Sequence, residues 1–156
     1  MLKLTNEVRR AICEAGERDY PDETCGFILG RLQDDDGGRV GDGVRAVANA
    51  REPEEAHHRF KIEPEDFLRA EREAARAGKD IVGIYHSHPD HPAAPSDYDL
   101  DHAWPVYSYV IVAVERGRAR ELASWRLEDD RSRFANEPVG TAGQAGEQAG
   151  EQAGET

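Results

Sequence analysis

The sequence predicts a mixed fold, α/β or α+β, in which helices flank a sheet containing both parallel and antiparallel strands. Three observations carry this. Segments with apolar residues at helical spacing alternate with short apolar runs bounded by turn residues. Two such runs near the C-terminal third, Ser108 to Glu115 and Ala119 to Leu127, are joined by Arg116-Gly117-Arg118, the signature of a hairpin. The length, 156 residues, suffices for one domain with its own core but not comfortably for two.

In chain order, Thr5 is placed to cap a first helix in which Val8, Ile12 and Ala15 recur on one face, ending near Gly16. Cys25 to Leu32 reads as a strand around Phe27, Ile28 and Leu29. Gln33 to Gly38 reads as a turn, and Arg39 to Asn49 as a second strand or hairpin arm. Arg51 to Ala56 is a charged loop and Arg59 to Ile62 a short strand. Glu63-Pro64-Glu65-Asp66 opens a second helix, with proline in the first turn and acids at the positive end of the dipole; Gly78 stops it. Ile81 to His88 is a strand, and Ser96 to Trp104 a short helix closed by Pro105.

From Asn136 the composition changes. Thr141 to Thr156 is built on repeated Ala, Gly, Glu and Gln without a large apolar residue, too little to offset ordering entropy. The predicted organisation is therefore a domain over residues 1–135 and a disordered, low-complexity acidic tail over 136–156.

Twenty basic against 32 acidic residues leave a net charge of −12, which repels phosphate backbones and anionic lipid. Nucleic-acid and membrane partners are not expected. Cys13 and Cys25 are the only cysteines, so neither a disulfide scaffold nor a thiolate zinc site is indicated. No apolar run approaches the ~20 residues needed to span a bilayer, and the charged N-terminus lacks a signal-peptide core. A soluble cytoplasmic protein is the expectation.

The chemistry concentrates in Ile81 to Asp99, IVGIYHSHPDHPAAPSDYD. Alternate side chains of a strand share a face, so His86 and His88 point the same way. Two neutral imidazoles with one carboxylate, which Asp99 can supply across the proline-rich turn, leave one position open on a tetrahedral cation. Zinc suits this donor set; iron and manganese accept it too. Ser96-x-x-Asp99 also reads as a capping box for the short helix that begins there. His91 and His102 lie off the ligand spacing and read as surface or supporting groups, and His57 and His58 as solvated loop residues. Trp104, Trp125, Tyr107 and Tyr109 read as core or rim.

His86-x-His88-Pro89, six residues, Ser96, two residues and Asp99 resembles the JAMM (MPN-plus) metalloprotease signature. Glu23-Thr24-Cys25-Gly26-Phe27-Ile28-Leu29-Gly30 resembles the E-x-C-G-x-x-x-G strand of bacterial members. The resemblance runs from about Leu4 to Leu127. It implies a cytidine-deaminase-like arrangement, a curved mixed sheet flanked by helices. It implies Zn2+ on His86, His88 and Asp99, Glu23 as the group that handles the catalytic water, and Ser96 as a stabiliser of the tetrahedral intermediate. The compact length is similar to the branch acting on ubiquitin-like sulfur-carrier proteins, which implies cleavage of a peptide or isopeptide bond after a carrier's C-terminal Gly-Gly. The carrier, the released group and the oligomeric state are not written in the sequence.

Three other readings stay open at this level. The fold could serve as a catalytically inactive MPN-type protein-binding module. It could house another zinc amidohydrolase such as a deaminase, although the P-C-x-x-C ligand pair of that chemistry is absent. Cys25, two residues from Glu23, could act as a nucleophile with a histidine base; a small buried strand residue is the blander reading.

Overall fold

The computed structural model describes residues 1–33, 38–49 and 60–143. Strands β1 (Leu2–Thr5), β2 (Cys25–Leu32), β3 (Arg39–Val47), β4 (Asp80–Pro89), β5 (Ser108–Glu115), β6 (Arg118–Leu127), β7 (Phe134–Glu137) and β8 (Val139–Ala142) form one sheet. Its order is β7-β6-β5-β4-β2-β3-β1-β8. β4 and β5 run parallel, as β1 does to β3 and β8, and the other pairs are antiparallel. The sheet curves until it is nearly a barrel: β7 and β8, on opposite edges, are separated in sequence only by Pro138, whose carbonyl accepts from Leu2 N–H at 2.9 Å. The mixed α/β class is as the sequence predicts.

The helices among the described residues are α1 (Asn6–Asp19), α2 (Pro64–Arg76) and α3 (Asp97–His102). One core joins Val8 and Ile12 of α1 to Leu2, Leu4, Ile28, Val82, Tyr85 and Val110. A second joins Ala70 of α2 to Phe27, Ile84, Tyr109 and Leu127, with Phe67 and Tyr107 packed against it. Strand alternation thus divides β2 and β4 between two cores. Ile84 lies on the α2 side, and with it, two and four residues on, His86 and His88. An irregularity opposite Ile28 and Leu29 re-phases β4 between Ile81 and Gly83, which puts Val82 and Tyr85 on the same side despite their odd spacing.

Local signals account for most boundaries. Thr5 caps α1, its Oγ1 accepting from Val8 N–H at 3.2 Å. α2 ends with Gly78 at φ +67°; Gly78 N–H donates to Ala75 O and Lys79 N–H to Ala74 O, the paired closure of a Schellman cap. Arg116 and Gly117, at φ +51° and +84°, form the two-residue hairpin loop between β5 and β6.

Four expectations are corrected. The chain opens with β1 before α1, and α1 continues past Gly16 to Asp19. Gly16 is a packing residue: a Cβ there would lie 2.9 Å from Val114 Cγ2, so its bare backbone lets α1 approach β5. Phe60 to Ile62 form no strand, and Arg59 lies outside the described residues, as do the predicted loop over 51–56 and most of the turn over 33–38. The sheet continues past the predicted boundary at residue 135, through β7 and β8 to Ala142. β7 is fastened by Glu137, a buried carboxylate whose Oε1 accepts from Ser108 and Ser124 hydroxyls at 2.7 and 2.9 Å. β8 pairs with β1 through backbone bonds, which need no large side chains, and so low apolar content concealed it. The remainder of the predicted tail, residues 144–156, lies outside the described residues.

Gly26 is fixed by its cross-strand partner. Tyr85 sits opposite it, and a Cβ at position 26 would lie 2.4 Å from the buried Tyr85 ring. Gly26→Ala is expected to destabilise the protein by about 2 kcal/mol through overpacking, read as a lower urea midpoint at unchanged slope.

Candidate metal centre

β4 carries His86 and His88 into the space between the sheet and α3. The His86 and His88 Nε2 atoms lie 3.2 Å apart, and Asp99 Oδ2 lies 3.4 Å from the first and 3.3 Å from the second. These three atoms make a nearly equilateral triangle. Zinc held tetrahedrally by bonds of about 2.0–2.1 Å has ligand-to-ligand edges of about 3.3–3.4 Å, so the triangle matches one face of such a site. Glu23 stands beside it, Oε1 4.0 Å from His88 Nε2, and it forms with the two histidines a buried group whose donor atoms all lie within 4.8 Å of one another. Asp99 is the nearer carboxylate to both rings.

Each donor is oriented by the fold. His88 Nδ1 lies 2.9 Å from Pro92 O and donates to it, which fixes the tautomer and leaves the Nε2 lone pair facing the triangle. Phe60 stacks on His86 at 4.5 Å between ring centroids and 23° between planes. Asp99 does two jobs at once. Its Oδ2 accepts from Ser96 N–H at 2.9 Å, while Ser96 Oγ accepts from Asp99 N–H at 3.1 Å: the capping box of α3 is real, and it aims the same carboxylate oxygen at the imidazoles. Trp125 Nε1–H donates to Ala93 O at 3.0 Å and pins the turn that leads to Ser96.

Protonation states follow from burial and neighbours. Desolvation lowers the His86 pKa against the pull of Asp99, so the ring is neutral. Burial would raise the Asp99 carboxyl, but the His86 ring and the Ser96 N–H outweigh it and hold the group anionic, below its usual range. A neutral imidazole beside a carboxylate is the form metal ligands require. Glu23 is different. Only 3 % exposed and with Oε2 lacking a hydrogen-bond partner, its carboxyl is pushed up to about 9 by burial, the Asp99 charge adding to the effect. An orphaned, buried carboxyl oxygen next to two imidazoles and an anion fits a cation and the water it would bring.

All five predicted residues therefore converge: His86, His88 and Asp99 in the triangle, Glu23 beside it, and Ser96 exposed in the pocket into which Glu23 opens. That pocket, about 300 Å3, is lined further by His88, His91, Pro92 and Ala94. A second, about 420 Å3, opens on the other side, where His86 and Asp99 meet Phe60, Phe67, Tyr98 and Trp104. His102 stacks on Tyr98, its Nδ1 donating to the Tyr98 carbonyl, and lines this second pocket. His57 and His58 lie outside the described residues. Burial, and then Glu23, push the Cys25 thiol up to about 12, and its Sγ donates to Val47 O at 3.6 Å, which weighs against the cysteine-nucleophile reading.

Sequence reasoning missed three supports. Ser87 lies between the histidines but faces the other way; its Oγ accepts from Thr24 N–H at 2.8 Å and its own N–H donates to Thr24 O at 3.1 Å. Asn49 Nδ2 donates to Glu23 O at 3.2 Å. Phe60 gave no signal, since its contact with His86 depends on a chain path that no local pattern encodes.

Residues 5–128 match the model of the prokaryotic homologs of the JAB domain. The chain belongs to this family. A desampylase from Haloferax volcanii is 36% identical over 116 residues, 70% of this chain and 78% of that one. A CysO-cysteine peptidase from Mycobacterium tuberculosis is 29% identical over 145 residues, 92% and 93% of the two chains. The relatives mark the chain as a JAMM-type hydrolase. A solution structure of a protein from Salinibacter ruber superposes with TM-score 0.70 at 38% identity, covering 90% of this chain and 91% of that one. A JAB1/MPN domain protein from Archaeoglobus fulgidus, at 18% identity and TM-score 0.57 over 90% and 99% of the two chains, shares the fold. No helix among the described residues is long and apolar enough to cross a membrane.

Proposed function

We propose that this protein is a zinc-dependent metallo(iso)peptidase that hydrolyses the bond after the C-terminal Gly-Gly of a ubiquitin-like or sulfur-carrier protein. The observation that carries the chemistry is the triangle of His86, His88 and Asp99 with Glu23 beside it. The substrate class is supported by the desampylase and CysO-cysteine peptidase relatives. His86, His88 and Asp99 would hold the ion. When bound, zinc supplies Lewis-acid activation of a water and of the scissile carbonyl.

A cation held beside Glu23 would offset the burial that protonates it; the carboxylate then accepts a proton from the attacking water as the C–O bond forms and returns it to the leaving amine as the C–N bond subsequently breaks, so the proton count closes. Ser96 Oγ accepts a hydrogen bond within the helix cap, which leaves its own O–H to donate to the oxyanion. Because Glu23 must reach the amine, the leaving group belongs in the pocket that Glu23 lines. The acyl side then lies across the triangle in the aromatic pocket, whose Trp104 is 58 % exposed. Trp104→Ala is expected to raise KM for a carrier conjugate several-fold with little change in kcat, measured in steady-state hydrolysis.

The test of the reading is mass spectrometry of zinc-loaded protein incubated with a carrier conjugate joined through its Gly-Gly terminus. Release of carrier with a free glycine carboxylate is expected. Intact conjugate, under conditions where zinc is bound, would overturn the proposal.

A further inference from the structure

Glu23 sits in a connecting segment, between α1 and β2, yet its carboxylate has to be placed to within a fraction of an ångström of the metal centre. Downstream, the segment is fastened to β4 by the Thr24–Ser87 pair. Upstream, three residues before Glu23, the Tyr20 hydroxyl donates to Asp90 Oδ2 at 2.6 Å. Asp90 follows His88 by two residues, so this bond closes a ring of chain containing both Glu23 and His88.

Asp90 is built for the purpose. It takes the left-handed conformation, φ +57°, uncommon for a residue with a side chain. In it, Asp90 N–H donates to Val114 O at 2.7 Å and Oδ1 accepts from Arg116 N–H at 2.8 Å, leaving Oδ2 for Tyr20. The Tyr20 ring packs beside Gly117, and its backbone N–H donates to Gly16 O at 3.1 Å. Both ends of the bond are therefore fixed by main-chain contacts. A short hydroxyl-to-carboxylate bond between two fixed ends transmits position.

We propose that the Tyr20–Asp90 hydrogen bond is a positioning strap that sets Glu23 against His88 for proton transfer. Tyr20 and Asp90 touch neither substrate nor metal ligands' donor atoms; they act through Glu23. The inference rests on the hydrolase reading above, and removing the strap leaves the His86, His88 and Asp99 triangle intact.

Tyr20→Phe deletes only the hydroxyl. It is expected to lower kcat about tenfold, with KM and zinc affinity unchanged, because the proton-transfer group has lost its position while binding has not. Asp90→Asn keeps an oxygen for Arg116 N–H and an amide N–H for the Tyr20 oxygen, and is expected to stay within about threefold of the wild-type kcat. A second readout needs no turnover. In metal-free protein, Thr24 amide exchange is expected to accelerate about tenfold in Tyr20→Phe while core amides such as Val112 are unaffected. A Tyr20→Phe protein with wild-type kcat and Thr24 exchange would overturn the strap, as would a loss appearing only in KM. If wild-type protein released nothing from any conjugate, the hydrolase reading would fail, and the exchange result would still decide whether the strap orders the Glu23 segment.

Discussion

Glu23→Gln is expected to abolish hydrolysis and, in metal-free protein, to raise stability at neutral pH. The carboxyl, ordinarily titrating at 4.5, is pushed up to about 9 in the fold, so between those values the native state holds a proton that the unfolded chain has released. Stability accordingly falls as pH rises from about 4.5 to about 9. At ~1.36 kcal/mol per pH unit, the cost at pH 7 is about 3 kcal/mol. Glutamine keeps the shape and a neutral buried group, and removes the penalty. Urea unfolding of chelator-treated protein should show the variant more stable by roughly that amount at pH 7 and nearly equal to wild type at pH 4. Turnover should drop by at least ~10²-fold with zinc still bound, the magnitude usual for a positioned acid–base group. A variant that hydrolyses near the wild-type rate would remove Glu23 from the mechanism. Removing a functional acid in exchange for stability is the trade-off expected where a buried charge serves chemistry.

His88→Ala should behave oppositely, losing zinc and turnover together. Partners outside a metal's ligand set already cost 10–100-fold in affinity when removed, so deleting a ligand should cost more than about a hundredfold, measurable by competition with a chromophoric chelator. The same change exposes the Asp99 carboxylate, which lies 3.3 Å from His88 Nε2, to one imidazole instead of two. The pairing of the two variants is informative: Glu23→Gln separates metal binding from turnover, and His88→Ala does not.

Much of this was legible in residue order because the decisive constraints are local. The period of two in a strand put His86 and His88 on one face, and a capping box placed Asp99 in the first turn of α3. What sequence spacing left undecided was whether Asp99 caps or faces the histidines; the structure answers that one oxygen does both. Gly26 was readable as part of a motif, but its reason, the Tyr85 ring across the sheet, requires the register of β2 on β4. The C-terminal strands escaped notice because β8 is held by backbone pairing and β7 by the buried Glu137, neither of which leaves an apolar pattern. Tyr20 and Asp90 lie 70 residues apart, and nothing in either neighbourhood announces the other.

X-ray absorption at the zinc edge of zinc-loaded protein tests the proposed centre most directly. The spectrum should show one zinc per chain with two imidazole nitrogens and oxygen donors at about 2.0–2.1 Å, and Asp99→Ala should lose the ion. A sulfur shell near ~2.3 Å from Cys25, or zinc retained without imidazole scattering, would contradict it.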